Sequence, residues 1–336
     1  MRNVLIGWVF LGIASTSLAE PLTDRADMQR EWAVTIRDPY LRGIGADDIW
    51  SAAKSVGISR LEVVLDQNLT CPHLFEKGTD GKDAPAYRID TPEARKKLNR
   101  KLKDEGMSIG CFAMGIKLAR PEDEDQALEW VSRAAAAAPE VGCRMLMLPI
   151  AITGPKGERI EDDEFIARGR AFVRKLDAIA ARTGIQITIE NLGHYWNRPE
   201  VLEPVLRESK PDRVGLLHDV CNMYWFGHPL DKLYALTQQF APYVRSVHVK
   251  SIKYPEDKRQ VQRSPGWEYG KYAEPVRTGD IDFAKILAIY ARAGYVGDVC
   301  IEDDSLPHFD AAGKKKVIAD DAKLLKEIIA KLPKAE

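Results

Sequence analysis

Along most of the chain, short runs of alternating or continuous apolar residues take turns with longer stretches whose apolar positions recur every three to four residues. The first kind predicts strands at 32–37, 60–66, 107–115, 144–150, 186–190, 214–219, 246–250 and 298–302. The second predicts amphipathic helices at 46–55, 92–105, 122–138, 162–182, 199–208, 230–240, 281–293 and 311–331. The helix at 122–138 contains an alanine run with no breaker before Pro139, a strong helix signal.

Strand–helix alternation of this kind argues for a parallel sheet. Eight units in a chain of 336 residues point to a (β/α)8 TIM barrel, in one domain over residues 20–336. A doubly wound sheet is the runner-up, but no glycine-rich phosphate loop follows any strand. One connection, residues 251–280, is long. It is rich in charge and carries Pro255, Pro265, Trp267 and three tyrosines, as functional loops of that length do.

In a TIM barrel the active site lies at the C-terminal ends of the strands, so polar residues there carry most of the information. The second strand holds Glu62, the fifth ends in Glu190-Asn191 and the sixth in His218-Asp219, with Asn222 just beyond. The seventh carries His248 and Lys250, and the eighth reaches Glu302. Residues two apart share a face of a strand. Glu190 therefore sides with Thr188, His248 with Ser246 and Lys250, and Glu302 with Cys300. Their β-branched neighbours Ile187, Ile189, Val247, Val249, Val299 and Ile301 turn towards the helices.

A buried carboxylate without a partner costs several kcal/mol, on the order of the desolvation of a polar group or more. Glu190, Asp219, His248 and Glu302 together solve that problem by facing one cation. An O,O,O,N donor set suits Mn²⁺ or Mg²⁺ first and Zn²⁺ or Co²⁺ next. Taken singly, each has an ordinary reading: a strand-end glutamate is often a salt-bridge partner, and a lone histidine is usually a satisfied core residue. That reading is kept for His73, His228 and His308. It is also the reading for His194, although His194 stands nearest to a role and is retained among the substrate-contacting candidates with Glu62, Lys250, Asn222 and Trp267. Arg37, Trp196 and Trp225 are further candidates for the pocket wall, with plain packing as the alternative for the tryptophans.

These stretches, "ITIENLGH", "VGLLHDVCN", "VHVKS" and "RTGDIDF" followed by "GYVGDVCIED", resemble the xylose-isomerase-like TIM barrels, the sugar phosphate isomerase/epimerase group that includes endonuclease-IV-like enzymes. The resemblance implies one divalent metal held by Glu190, Asp219, His248 and Glu302, with Glu190 and Glu302 also serving as acid/base groups. Gly279–Asp282 matches the family's G-x-x-D element. Two positions depart from it: Asn222 stands where many members have histidine, and Ser251 follows Lys250 where many have aspartate. The extra histidines of a trinuclear DNA-repair site are not visible.

Composition narrows the function. Apolar content of 45% and charged content of 29% describe a soluble globular chain, and a formal net charge of −1 offers nothing to a polyanion. The expected partner is a small carbohydrate, with neither nucleic acid nor membrane, and homo-oligomer formation is left open. Arg2, the apolar run 4–14 and Ser17-Leu18-Ala19 have the layout of a signal peptide spanning residues 1–19, so the protein is expected to be secreted or periplasmic. The cysteines 71, 111, 143, 221 and 300 are odd in number and match no zinc motif, which favours free core thiols.

The expected activity is a divalent-metal-dependent sugar isomerase or epimerase that abstracts the proton alpha to a carbonyl through an enediolate. The alternative is a carbon–oxygen lyase cleaving 3-keto-glycosides by beta-elimination, since export disfavours sugar phosphates. A non-catalytic sugar-binding barrel and an endonuclease-IV-like phosphodiesterase rank below both.

Overall fold

The computed structural model describes residues 31–77 and 83–332; the signal-peptide reading lies outside them. Eight parallel strands form a closed ring: β1 Ala33–Arg37, β2 Arg60–Val64, β3 Ser108–Ala113, β4 Met145–Ile152, β5 Gln186–Glu190, β6 Val214–Asp219, β7 Val244–Val249 and β8 Asp298–Ile301. Each pairs with its neighbours in chain order, β8 returns to β1, and β3–β4 pairing at Phe112 and Ala113 completes the ring. The TIM barrel expected from the pattern is therefore the fold.

Around the ring run α1 Ile49–Ser55, α2 Pro92–Glu105, α3 Pro121–Ala137, α4 Asp162–Thr183, α5 Pro199–Leu206, α6 Leu230–Phe240, α7 Phe283–Arg292 and α8 Ala311–Ile329. Their starts are set locally. Asp48, Thr91, Asp282 and Asp310 each accept a backbone N–H of the first turn from the N-cap position. α2 also has Pro92 in its first turn and stops at Gly106, whose φ of 64° suits a left-handed cap. No helix among the described residues is long and apolar enough to cross a membrane.

Side-chain parity holds as the sequence implies. Ile187, Ile189, Val247, Val249, Val299 and Ile301 join the main apolar core, while Cys111, Ala113, Met147 and Leu217 form a separate small cluster. Parity places this second cluster inside the barrel, beneath the polar strand ends. All five cysteines are buried and free. His218 points the other way: it meets the Tyr290 hydroxyl at 2.7 Å in the helical layer, and burial pushes its pKa down to about 3.

Several elements were not visible as apolar patterns. An antiparallel hairpin, Thr70–Lys77 with Asp83–Arg88, follows β2. Ile116–Leu118 extends β3 and pairs with Ile150–Ile152 of β4. A short helix, Val220–Phe226, begins immediately after β6, capped by Asp219 itself. The hairpin strands, TCPHLFEK and DAPAYR, each carry a proline and no clean alternation, and the other two pieces are short.

The G-x-x-D element has a physical basis. A Cβ on Gly279 would lie 2.0 Å from Ser251 Oγ and 2.3 Å from Ser251 Cβ, directly after Lys250. Asp280 accepts the Tyr254 N–H at 2.8 Å and the Tyr224 hydroxyl at 3.0 Å, and Asp282 caps α7. The element thus pins the long connection to the end of β7. Gly279→Ala is expected to cost about 1–3 kcal/mol through overpacking. Urea unfolding followed by circular dichroism checks this, and an unchanged midpoint would show that Ser251 yields freely.

Candidate metal centre

The ends of β5–β8 converge. One donor atom from each of Glu190, Asp219, His248 and Glu302 lies within 4.8 Å of the others, and all four residues are buried. His248 Nδ1 is 3.2 Å from Glu302 Oε2 and 3.9 Å from Glu190 Oε1, yet has no hydrogen-bond partner. Asp219 Oδ2 also lacks a directed hydrogen bond, although the Lys250 ammonium stands 2.9 Å away. Buried polar atoms without a directed hydrogen bond are rare in folded proteins. A divalent cation would satisfy both atoms, so the residues present fit the metal that the donor chemistry implies.

Two permanent cations face this set. Lys250 Nζ is 2.9 Å from Glu302 Oε2 and 3.4 Å from Asp304 Oδ2. Arg37, from the end of β1, pairs with Glu302 Oε1 and lies 3.4 Å from Glu62 Oε1. With Glu62 and Asp304 counted, five carboxylates oppose Arg37 and Lys250, leaving the site electronegative.

The two glutamates differ in their neighbours. Burial raises the Glu190 pKa to about 7, with the Glu302 charge adding to it and His248 opposing. Burial also pushes on Glu302, but Lys250, His248 and Arg37 outweigh it and hold that carboxyl well below the usual range. Burial raises Asp219 against the pull of Lys250. His248 and Lys250 would be lowered by burial, but their carboxylate neighbours raise both. Burial pushes the Cys300 thiol up to about 12, so it is a neutral thiol near His248.

The remaining sequence candidates fall into distinct places. Asn222 donates from Nδ2 to Glu190 Oε1 at 3.1 Å, and its backbone N–H caps onto Asp219 Oδ1 at 3.0 Å. Glu62 stands behind the imidazole, 3.0 Å from His248 Nε2. His194 lies in the turn after β5, packed beside Phe226 with Nδ1 unpartnered, outside the four-donor group. Trp267 stacks on Tyr272 and packs against Tyr254. Trp196 is a core residue beside Phe165, bonded through Nε1 to the Ile150 carbonyl. His228 and His308 bond backbone carbonyls, as core or loop histidines do.

Sequence reasoning missed Asp304, whose oxygens accept the Tyr40 and Tyr269 hydroxyls at 2.6 and 2.5 Å. The signal available was the acidic run "EDD" after β8. It also passed over the role of Asn191, which accepts the Asp219 N–H at 2.7 Å and donates to the Asp219 carbonyl at 2.8 Å, locking the ends of β5 and β6 together.

A closed parallel barrel with a buried carboxylate–imidazole donor set at its C-terminal rim is a barrel with a candidate metal centre. The chain belongs to the xylose isomerase-like TIM barrel family, whose sequence profile residues 50–328 match. Among solved structures, it resembles a xylose isomerase-like TIM barrel protein from Mycobacterium smegmatis in complex with magnesium, at 16% identity and TM-score 0.62, over 89% of this chain and 96% of that one. It also resembles the 3-keto-D-glucoside 4-epimerase YcjR of E. coli, at 16% identity and TM-score 0.58, over 88% and 100%. A third is the probable 3-DHS dehydratase AsbF of Bacillus anthracis, at 13% identity and TM-score 0.58, over 88% and 98%. At these identities the likeness is one of fold. No curated protein sequence matches the chain.

Proposed function

We propose that this protein is a divalent-metal-dependent enzyme that moves a proton on the carbon next to the carbonyl of a sugar or sugar derivative. The observation that carries this reading is the buried four-donor set, with His248 Nδ1 left without a hydrogen-bond partner and Asp219 Oδ2 met only by the Lys250 ammonium. Glu190, Asp219, His248 and Glu302 would hold the cation, which supplies Lewis acidity towards a carbonyl oxygen and an adjacent hydroxyl. Mn²⁺ or Mg²⁺ suits the oxygen-rich set best, with Zn²⁺ and Co²⁺ behind.

The chain's own groups divide the remaining work. Glu190, oriented by the Asn222 amide and not engaged by a cationic side chain at hydrogen-bond distance, takes the alpha proton. Lys250 donates hydrogen bonds towards negative charge at the substrate oxygen. Trp267, His194 and Glu62 were the remaining sequence candidates for substrate contact. Trp267 and His194 stay wall candidates, whereas Glu62 faces His248.

One observation favours beta-elimination as a second reading. Glu302 is gripped by Arg37 and Lys250, whereas Glu190 receives a neutral amide donor. Two-base epimerisation wants both carboxylates free to exchange protons, while elimination needs one base. A 3-keto-glycoside fits both readings; a fold relative that is a 3-keto-D-glucoside epimerase supports that choice of substrate class, and one that is a probable dehydratase is in keeping with elimination. The signal-peptide pattern at residues 1–19 supports export, and with it free sugars or glycosides over sugar phosphates.

The test is metal analysis of purified protein, followed by NMR in D₂O with free sugars and 3-keto-glucosides. The expected result is one bound divalent cation, deuterium at the carbon alpha to the carbonyl, and either a new epimer or a released aglycone. Metal-loaded protein that leaves every keto-sugar unexchanged would sink the proposal.

A further inference from the structure

His248 is held from both sides of its ring. Nδ1 faces Glu302 and Glu190 in the donor set, while Nε2 lies 3.0 Å from Glu62 Oε2. His248 and Glu62 are buried, at 0% and 2% exposure, so water does not compete for that contact. Glu62 comes from β2, across the barrel, and its other oxygen is 3.4 Å from Arg37 Nε. Arg37 in turn pairs through Nη1 with Glu302, itself a member of the donor set.

A carboxylate only accepts hydrogen bonds, so the contact requires a proton on Nε2. The lone pair for a cation must then come from Nδ1. We infer that Glu62, braced by Arg37, is a positioning residue that fixes the His248 tautomer and ring angle and makes Nδ1 the ligand atom. Outer partners of this type orient a ligating imidazole and raise its basicity, and their loss typically weakens metal affinity by about 10–100-fold. Arg37 adds a link between the two ends of the set: one guanidinium braces the carboxylate behind His248 and holds Glu302. The inference deepens the proposed metal site and rests on it for the ligand role of His248.

The test compares wild type with Glu62→Leu and Glu62→Gln. Glutamine keeps the length and an acceptor oxygen, so it preserves the fold and the anchored N–H even where leucine does not. Nitrogen-15 histidine NMR on metal-free and Zn²⁺-loaded protein should show a slowly exchanging Nε2–H on His248 in wild type, weakened in Glu62→Gln and lost in Glu62→Leu. Calorimetric titration with Zn²⁺ and Mn²⁺ should show affinity reduced about 10–100-fold in Glu62→Leu, with glutamine recovering part of it. Unchanged affinity in both variants, or a His248 proton on Nδ1 in Zn²⁺-loaded wild type, would overturn the inference. Wild type that binds neither cation overturns the metal reading instead, and the Nε2–H signal in metal-free protein still decides whether Glu62 anchors the ring.

Discussion

His248→Ala should lose bound metal and activity together. The imidazole contributes the single nitrogen of the donor set and is fully buried, so alanine leaves a hole with three carboxylates around it. Those carboxylates then repel one another with fewer compensating charges. The loss of affinity should exceed the roughly 10–100-fold seen when a mere supporting partner is removed. Chelator treatment of wild type should reproduce the defect, and added Mn²⁺ should restore wild type but not the variant at the same concentration. Elemental analysis beside a solvent-exchange assay measures both quantities on one sample. A fully active His248→Ala protein would refute the ligand assignment.

Glu190→Gln should separate metal binding from proton transfer. The amide keeps an oxygen of nearly the same shape, and the donor set still has Asp219, His248 and Glu302. What is lost is a group able to take a proton. Positioned acid–base groups contribute roughly 10²–10⁴-fold in rate, so activity should fall by that factor with the site saturated at high Mn²⁺. Recovery of full activity at high metal would show Glu190 to be a ligand alone. Glu302→Gln is the informative contrast. Arg37 and Lys250 both hold Glu302, so this change should weaken metal binding first. If one base suffices, deuterium exchange at the alpha carbon persists in metal-saturated Glu302→Gln. If both carboxylates move protons, one on each face, each metal-saturated variant still exchanges the alpha proton of the epimer that its remaining carboxylate faces, and conversion between the epimers is what vanishes.

The chain order of strands and helices, the closed barrel and the convergence of Glu190, Asp219, His248 and Glu302 at one rim were legible in the sequence because each rests on local rules. Alternation with period two decides which side chains of one strand share a face, and it did so for Glu190, His248 and Glu302 without reference to any other strand. Helix starts at Asp48, Thr91, Asp282 and Asp310 are equally local, since a cap bonds a residue three positions on. The hairpin after β2 escaped because its strands, TCPHLFEK and DAPAYR, each contain a proline and lack a clean apolar alternation, and the capped turn at Asp219 because so short a helix carries too little periodicity to register.

Only the tertiary structure decided who stands beside whom at the rim. Arg37 meets Glu302 across 265 positions of chain, and Glu62 meets His248 across 186. Asp304, just past β8, collects Tyr40 from beyond β1 and Tyr269 from the connection after β7, the two strands that flank it. These contacts divide two chemically identical glutamates into one gripped by cations and one met by a neutral amide, and they turn Glu62 from a candidate for substrate contact into a neighbour of the imidazole. Pattern within a strand specifies direction. The neighbour in that direction depends on closing a ring of eight strands, a long-range event to which no single segment holds the information.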